Sequence, residues 1–89
     1  MSNILKKAQE IIYDRSEEKQ REYGPFEDGM QRAAQIFNGM TGMNVDATVM
    51  YKALIALKFS RESYNHKEDN LLDAVAYISS MNDFLNKNK

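Results

Sequence analysis

The chain contains no cysteine. Disulfides, thiolate catalysis and cysteine-ligated zinc are thereby excluded, and the absence fits a reducing compartment. A single histidine, His66, has no second histidine and no cysteine with which to share a metal, so it reads as a loop or helix-terminus residue. Charge of one sign is also missing. Twelve basic residues stand against 13 acidic ones, for a net charge of −1, so no positive field exists to attract duplex DNA and a nucleic-acid polymer is not an expected partner. No run approaches the roughly 18 apolar residues of a membrane-spanning helix, and the first residues do not lead into the apolar stretch of a signal peptide. Neither export nor membrane insertion is expected, which leaves the cytoplasm. Glycine-rich phosphate loops, a nucleophile elbow and zinc motifs are absent as well.

What is present is an ordinary globular composition, 43% hydrophobic and 28% charged. A chain of 89 residues has room for one domain and one core, because chains of this size bury only about 60–65% of the surface they expose when unfolded. Apolar residues recur at helical spacing almost throughout, and no strand pattern, internal repeat or low-complexity tract competes. The expectation is a single all-α domain over residues 1–89, with four helices at about 3–18, 27–38, 46–61 and 68–86. Ile4, Leu5, Ala8, Ile11 and Ile12 share the stripe of the first helix, and Met30, Ala33, Ala34 and Phe37 that of the second. Gly24 and Pro25 turn the chain between them, while Gly39 and Gly42 supply the left-handed conformation that ends a helix. Asp46 suits the N-cap of the third helix. Glu68 and Asp69 suit the first turn of the fourth, whose stripe is Leu71, Leu72, Val75, Ile78, Met81, Phe84 and Leu85.

The third helix is apolar most of the way around, through Val49, Met50, Ala53, Leu54, Ile55, Ala56 and Leu57. Three modest neighbours do not easily cover such a helix, so part of it is expected to meet another copy, in a homodimer or homotetramer. Six methionines read as adaptable packing in cores or interfaces. Tyr13, Tyr51, Tyr64 and Tyr77 read as half-buried core residues with a wet hydroxyl.

Two constellations can carry chemistry. Lys58 and Arg61 share one helical face, Asp69 and Asp73 another, and an antiparallel pairing of the last two helices brings all four to the connecting loop. There the basic pair can hold phosphate oxygens and the carboxylates a magnesium ion; opposite charges at a helix–helix corner are more often a partly exposed ion-pair cluster that fixes the loop. Around Asp14, Arg15, Arg21, Tyr23, Gly24 and Pro25, an aromatic ring lies beside a rigid turn with arginines on either side. It serves either as a base-stacking, phosphate-contacting edge or as a core-anchoring tyrosine in a charged loop.

The pattern Asp14-Arg15, Arg21-Glu22-Tyr23-Gly24-Pro25, Lys58-x-x-Arg61 and Asp69-Asn70-x-x-Asp73-x-x-x-Tyr77 resembles the small phage-encoded MazG-like helical proteins, over most of the chain from about residue 4 to 85. MazG-type pyrophosphohydrolases hold magnesium with Glu-Glu-x-x-Glu on one helix and Glu-x-x-Asp on another. Here the first cluster is reduced to Glu27 and Asp28, followed by Gly29, Met30 and Gln31, and the second to Asp69 and Asp73. The resemblance therefore implies binding of nucleotides without turnover. Similar phage proteins include sponges that sequester the cyclic dinucleotides of CBASS immunity. The implied function is non-enzymatic capture of a ligand such as 3′,3′-cGAMP in the cytoplasm of the infected bacterium, with no cofactor. Arg15, Lys58 and Arg61 would contact phosphates, Tyr23 would stack on a base, and Asp69 and Asn70 would read base edges. The first rival is a magnesium-dependent nucleotide pyrophosphohydrolase with Asp69 and Asp73, joined by Glu27 and Asp28, as metal ligands. The second is an accessory protein that inhibits a host enzyme through the apolar face of the third helix.

Overall fold

The computed structural model describes residues 2–12 and 25–87, and these residues form four helices and no strand. They are α1 (Ser2–Ile12), α2 (Phe26–Thr41), α3 (Ala47–Tyr64) and α4 (Glu68–Lys87). Residues 13–18 of the helix expected over 3–18, and with them Asp14, Arg15, Arg21, Tyr23 and Gly24 of the second constellation, lie outside the described residues.

Local chemistry explains where the helices start and stop. Pro25, with φ fixed at −61°, stands at the N-cap of α2. The helix continues past the expected stop at 38, because Gly39 is accommodated inside it and only Gly42 turns left-handed, at φ 75°. The Gly42 N–H donates to the Asn38 carbonyl at 2.9 Å and so closes the helix. The same Asn38 clamps the following loop. Its side-chain amide donates to the Val45 carbonyl and its side-chain oxygen accepts from the Val45 N–H, both at 2.9 Å. Asp46 caps α3 as expected, its carboxylate accepting from the Val49 N–H at 3.3 Å. α3 runs three residues beyond the expected boundary, to Tyr64, so the loop to α4 shrinks to Asn65, His66 and Lys67.

α3 and α4 are the central pair and run antiparallel. Tyr51 meets Ser80, Lys58 meets Asp73 and Glu62 meets Asn70, so moving seven residues up one helix moves the contact seven down the other. α1 packs along α4, with Lys7 paired to Glu68 at 3.3 Å and Ala8 packed against Leu72 and Ala76. α2 closes the other side. Phe26 stacks on Tyr77 with ring centroids 5.5 Å apart and tilts against Tyr51 at 6.0 Å, while Lys87 reaches Glu27 at 3.2 Å.

The buried core is built from small residues. Ala8, Ala34, Ala47, Ala74 and Ala76 are buried, and Leu72 and Tyr51 are the only larger apolar side chains that join them among the described residues. Alanine lets helices approach closely but removes little apolar area from water, at roughly 25 cal/mol per Å². The larger apolar side chains are left outside: Ile36, Met40 and Met43 on α2 and its exit loop, and Val49, Leu57 and Phe59 on α3, are all exposed. Part of the apolar surface expected on the third helix, at Val49 and Leu57, is therefore exposed, while Met50, Leu54 and Ile55 are half-buried. No helix among the described residues is long and apolar enough to cross a membrane.

The tyrosines divide differently from the expectation. Tyr77 is half-buried, but Tyr51 is wholly buried with its hydroxyl on the Ser80 hydroxyl at 2.7 Å instead of in water. Tyr64 is 94% exposed. It sits in the last turn of α3, where no helix packs over it, and Tyr13 falls outside the described residues.

Candidate functional site

The short α3–α4 connection forces side chains from the end of one helix and the start of the next into one corner. Lys58, Arg61, Asp69 and Asp73 do converge there, as antiparallel pairing requires. They line a solvent-open cleft of about 720 Å³, within the range of small-ligand sites. Its floor is Lys58, Asn70 and Asp73, and its rim carries Arg61, Tyr64, Lys67 and Asp69.

The four charged residues are not equivalent. Lys58 Nζ lies 2.9 Å from Asp73 Oδ2, with side chains only 15% and 26% exposed. This half of the constellation is an ion pair that ties α3 to α4, in agreement with the loop-fixing alternative. Among the described residues, Arg61, Lys67 and Asp69 have no ion-pair partner. The cleft thus presents two unpaired cations and one unpaired carboxylate. Lys67 escaped attention in the sequence because it follows the helix and belongs to no periodic face; only the loop's length places it on the rim.

Lys58→Ala leaves a partly covered carboxylate without its cation, and a loss of about 1–3 kcal/mol in urea unfolding is expected, below the 3–5 kcal/mol of a fully buried pair. In a double-mutant cycle with Asp73→Ala the second substitution should cost much less once the first is made. Strict additivity would show that the two side chains are not coupled.

The corner is held by Glu62. Its carboxylate accepts from the Lys67 N–H at 3.0 Å and the Asn70 side-chain amide at 3.2 Å, and its second oxygen faces His66 Nδ1. Asn70 is buried, so this bond fixes how it meets the cleft. Contact with His66 is the main cause holding the Glu62 carboxyl below its ordinary value, with the Lys67 and Asn70 bonds adding to it against the opposing effect of burial. A carboxyl whose folded pKa is lowered stabilises the protein above the unfolded value, and that contribution is lost as pH falls through the folded one. Glu62→Ala should therefore lower the thermal midpoint at neutral pH. The gap from wild type should close on acidification, below the ordinary carboxylate range; a gap that persists in acid would mean that ionised Glu62 is not the fastening group.

Tyr77 borders the corner from behind. Burial, reinforced by the Asp73 carboxylate, pushes its phenol up, so it stays protonated near neutral pH and offers no base. Among the described residues, the carboxylates do not gather into a magnesium centre. Asp73 is engaged by Lys58 and Glu27 by Lys87, and Lys87 stands fourteen residues, about 21 Å of helical rise, beyond Asp73. No three His, Cys, Asp or Glu side chains converge among the described residues.

Comparison with known proteins places one family on the chain. The model described as Domain of unknown function (DUF6378) matches residues 3–84. No curated protein and no solved structure matches.

Proposed function

We propose that this chain, which belongs to the DUF6378 family, binds and sequesters a cyclic dinucleotide such as 3′,3′-cGAMP without cleaving it. In this reading it is a MazG-like phage protein in the cytoplasm of the infected bacterial host, where removing the free messenger silences CBASS defence. The observation that carries it is the cleft at the α3–α4 corner, where Arg61 and Lys67 stand unpaired on the rim. A guanidinium with no carboxylate partner is free to donate two parallel hydrogen bonds to a phosphate, and the lysine adds a second point charge. Asp69 and Asn70 supply an acceptor and an amide to a base edge or ribose. Lys58 contributes only by sharing itself with Asp73, so it is placed to orient the floor of the cleft. Arg15 and Tyr23 keep the roles that the family resemblance implies.

Self-association belongs to the same reading. A cyclic dinucleotide is close to twofold symmetric, and an isologous interface presents two copies of one cleft to it. The alanine-built core and the uncovered Ile36, Met40, Met43, Val49, Leu57 and Phe59 supply apolar surface for such contacts. The protein should bury it as a homodimer or homotetramer.

The test is to incubate the protein with magnesium and a panel of cyclic dinucleotides and nucleoside triphosphates, separate bound from free by filtration, digest the protein and analyse both fractions by chromatography. Recovery of one cyclic dinucleotide intact from the protein fraction is the expected result. Release of a monophosphate and pyrophosphate would replace the sponge with a hydrolase. Neither retention nor product would move the function to the apolar face and a protein partner.

A further inference from the structure

We infer that Tyr64 is the aromatic wall of the cleft, and that its ligand carries a planar ring together with an anionic group. The inference rests on the nucleotide reading above and adds to it which described residue receives a base. Among the described tyrosines, Tyr51 and Tyr77 are spent on the interior, in ring contacts with Phe26 and, for Tyr51, a bond to Ser80. Tyr64 is 94% exposed and makes no ring contact among the described residues.

A single exposed aromatic on a surface is ordinary; its setting is what points to a ligand. Tyr64 lies on the rim of the 720 Å³ cleft. On a helix of about 100° per residue, Ser60, Tyr64 and Arg61 fall within a single arc of about 100°, so the ring stands between a small hydroxyl residue and an unpaired guanidinium. Lys67, three residues further along the chain, lines the same cleft. A ring face beside two unpaired cations offers the two contacts a nucleotide needs at once, stacking for the base and charge for its phosphate. Inorganic phosphate or pyrophosphate would use only the cations.

Binding of 3′,3′-cGAMP and of inorganic pyrophosphate to the full chain and to Tyr64→Ala and Tyr64→Phe is measured by calorimetry, with thermal melts as a control on folding. The exposed position predicts unchanged melts for both variants. Tyr64→Ala should weaken the cyclic dinucleotide about tenfold or more, Tyr64→Phe should restore it to near the wild-type value, and pyrophosphate affinity should be the same in all three. The dinucleotide should also quench the tyrosine fluorescence of wild type more than that of Tyr64→Ala. Wild-type binding with an undiminished Tyr64→Ala affinity overturns the assignment of Tyr64 alone. Failure of wild type to bind the dinucleotide overturns the nucleotide reading and the assignment together.

Discussion

Replacing Tyr51 by alanine is expected to remove about 3–5 kcal/mol of stability, the range for deleting a large buried aromatic side chain. A domain of this length has roughly 4–13 kcal/mol in all, at 0.05–0.15 kcal/mol per residue, so the variant should lose a large share of its stability. The size of the effect follows from the composition of the core. Among the described residues, every other buried apolar position but Leu72 is an alanine, and Tyr51 is the side chain on which Phe26 from α2 and Phe84 from α4 converge, at 6.0 and 6.2 Å. Tyr51→Phe keeps the ring and removes only the hydroxyl that meets Ser80 Oγ at 2.7 Å. It should cost about 1–2 kcal/mol, because the Ser80 hydroxyl is then buried without that partner. Adding Ser80→Ala should recover part of the loss. Urea unfolding followed by circular dichroism reads all three; a Tyr51→Ala loss below about 1 kcal/mol would mean that the described core does not hold the helices together.

Arg61→Ala carries the largest expected effect on binding. Losing a charge-assisted hydrogen bond costs about 1.5–3 kcal/mol, or roughly ten- to 150-fold in affinity for a cyclic dinucleotide. Stability should stay within about 0.5 kcal/mol of wild type, because Arg61 is exposed and has no ion-pair partner among the described residues. Lys58→Ala should show the opposite balance, with a clear loss of stability and a smaller loss of affinity, since Lys58 is already engaged by Asp73. The contrast between two basic residues one helical turn apart separates a ligand contact from a structural ion pair. Calorimetric titration of both variants reads it, and unchanged affinity in Arg61→Ala would remove that residue from the site.

The helices and the corner were legible in the sequence for definite reasons. Asp46 and Gly42 act through local backbone chemistry that needs no tertiary context. The meeting of Lys58 with Asp73 follows from helical spacing and an antiparallel pair joined by a short loop. Gly39 was misleading because glycine permits a helix end without requiring one, and the loop clamp that selects Gly42 depends on Asn38 reaching Val45. The fate of each tyrosine was not legible either. Tyr51 and Tyr77 lie within expected helices and Tyr64 just beyond one, and what distinguishes their fates is whether another helix passes over that turn. Glu62 gave no signal, since its role depends on three partners in the loop and the next helix. That part of the apolar surface of α3 would stay exposed was legible from its residues alone.

The most direct test of the account is a titration of ¹⁵N-labelled protein with 3′,3′-cGAMP, following backbone amide shifts. The account predicts saturable changes centred on Arg61, Tyr64, Lys67, Asp69 and Asn70, with the ligand recovered unchanged at the end. Saturable changes confined to residues far from the α3–α4 corner, or no changes at all, would contradict it.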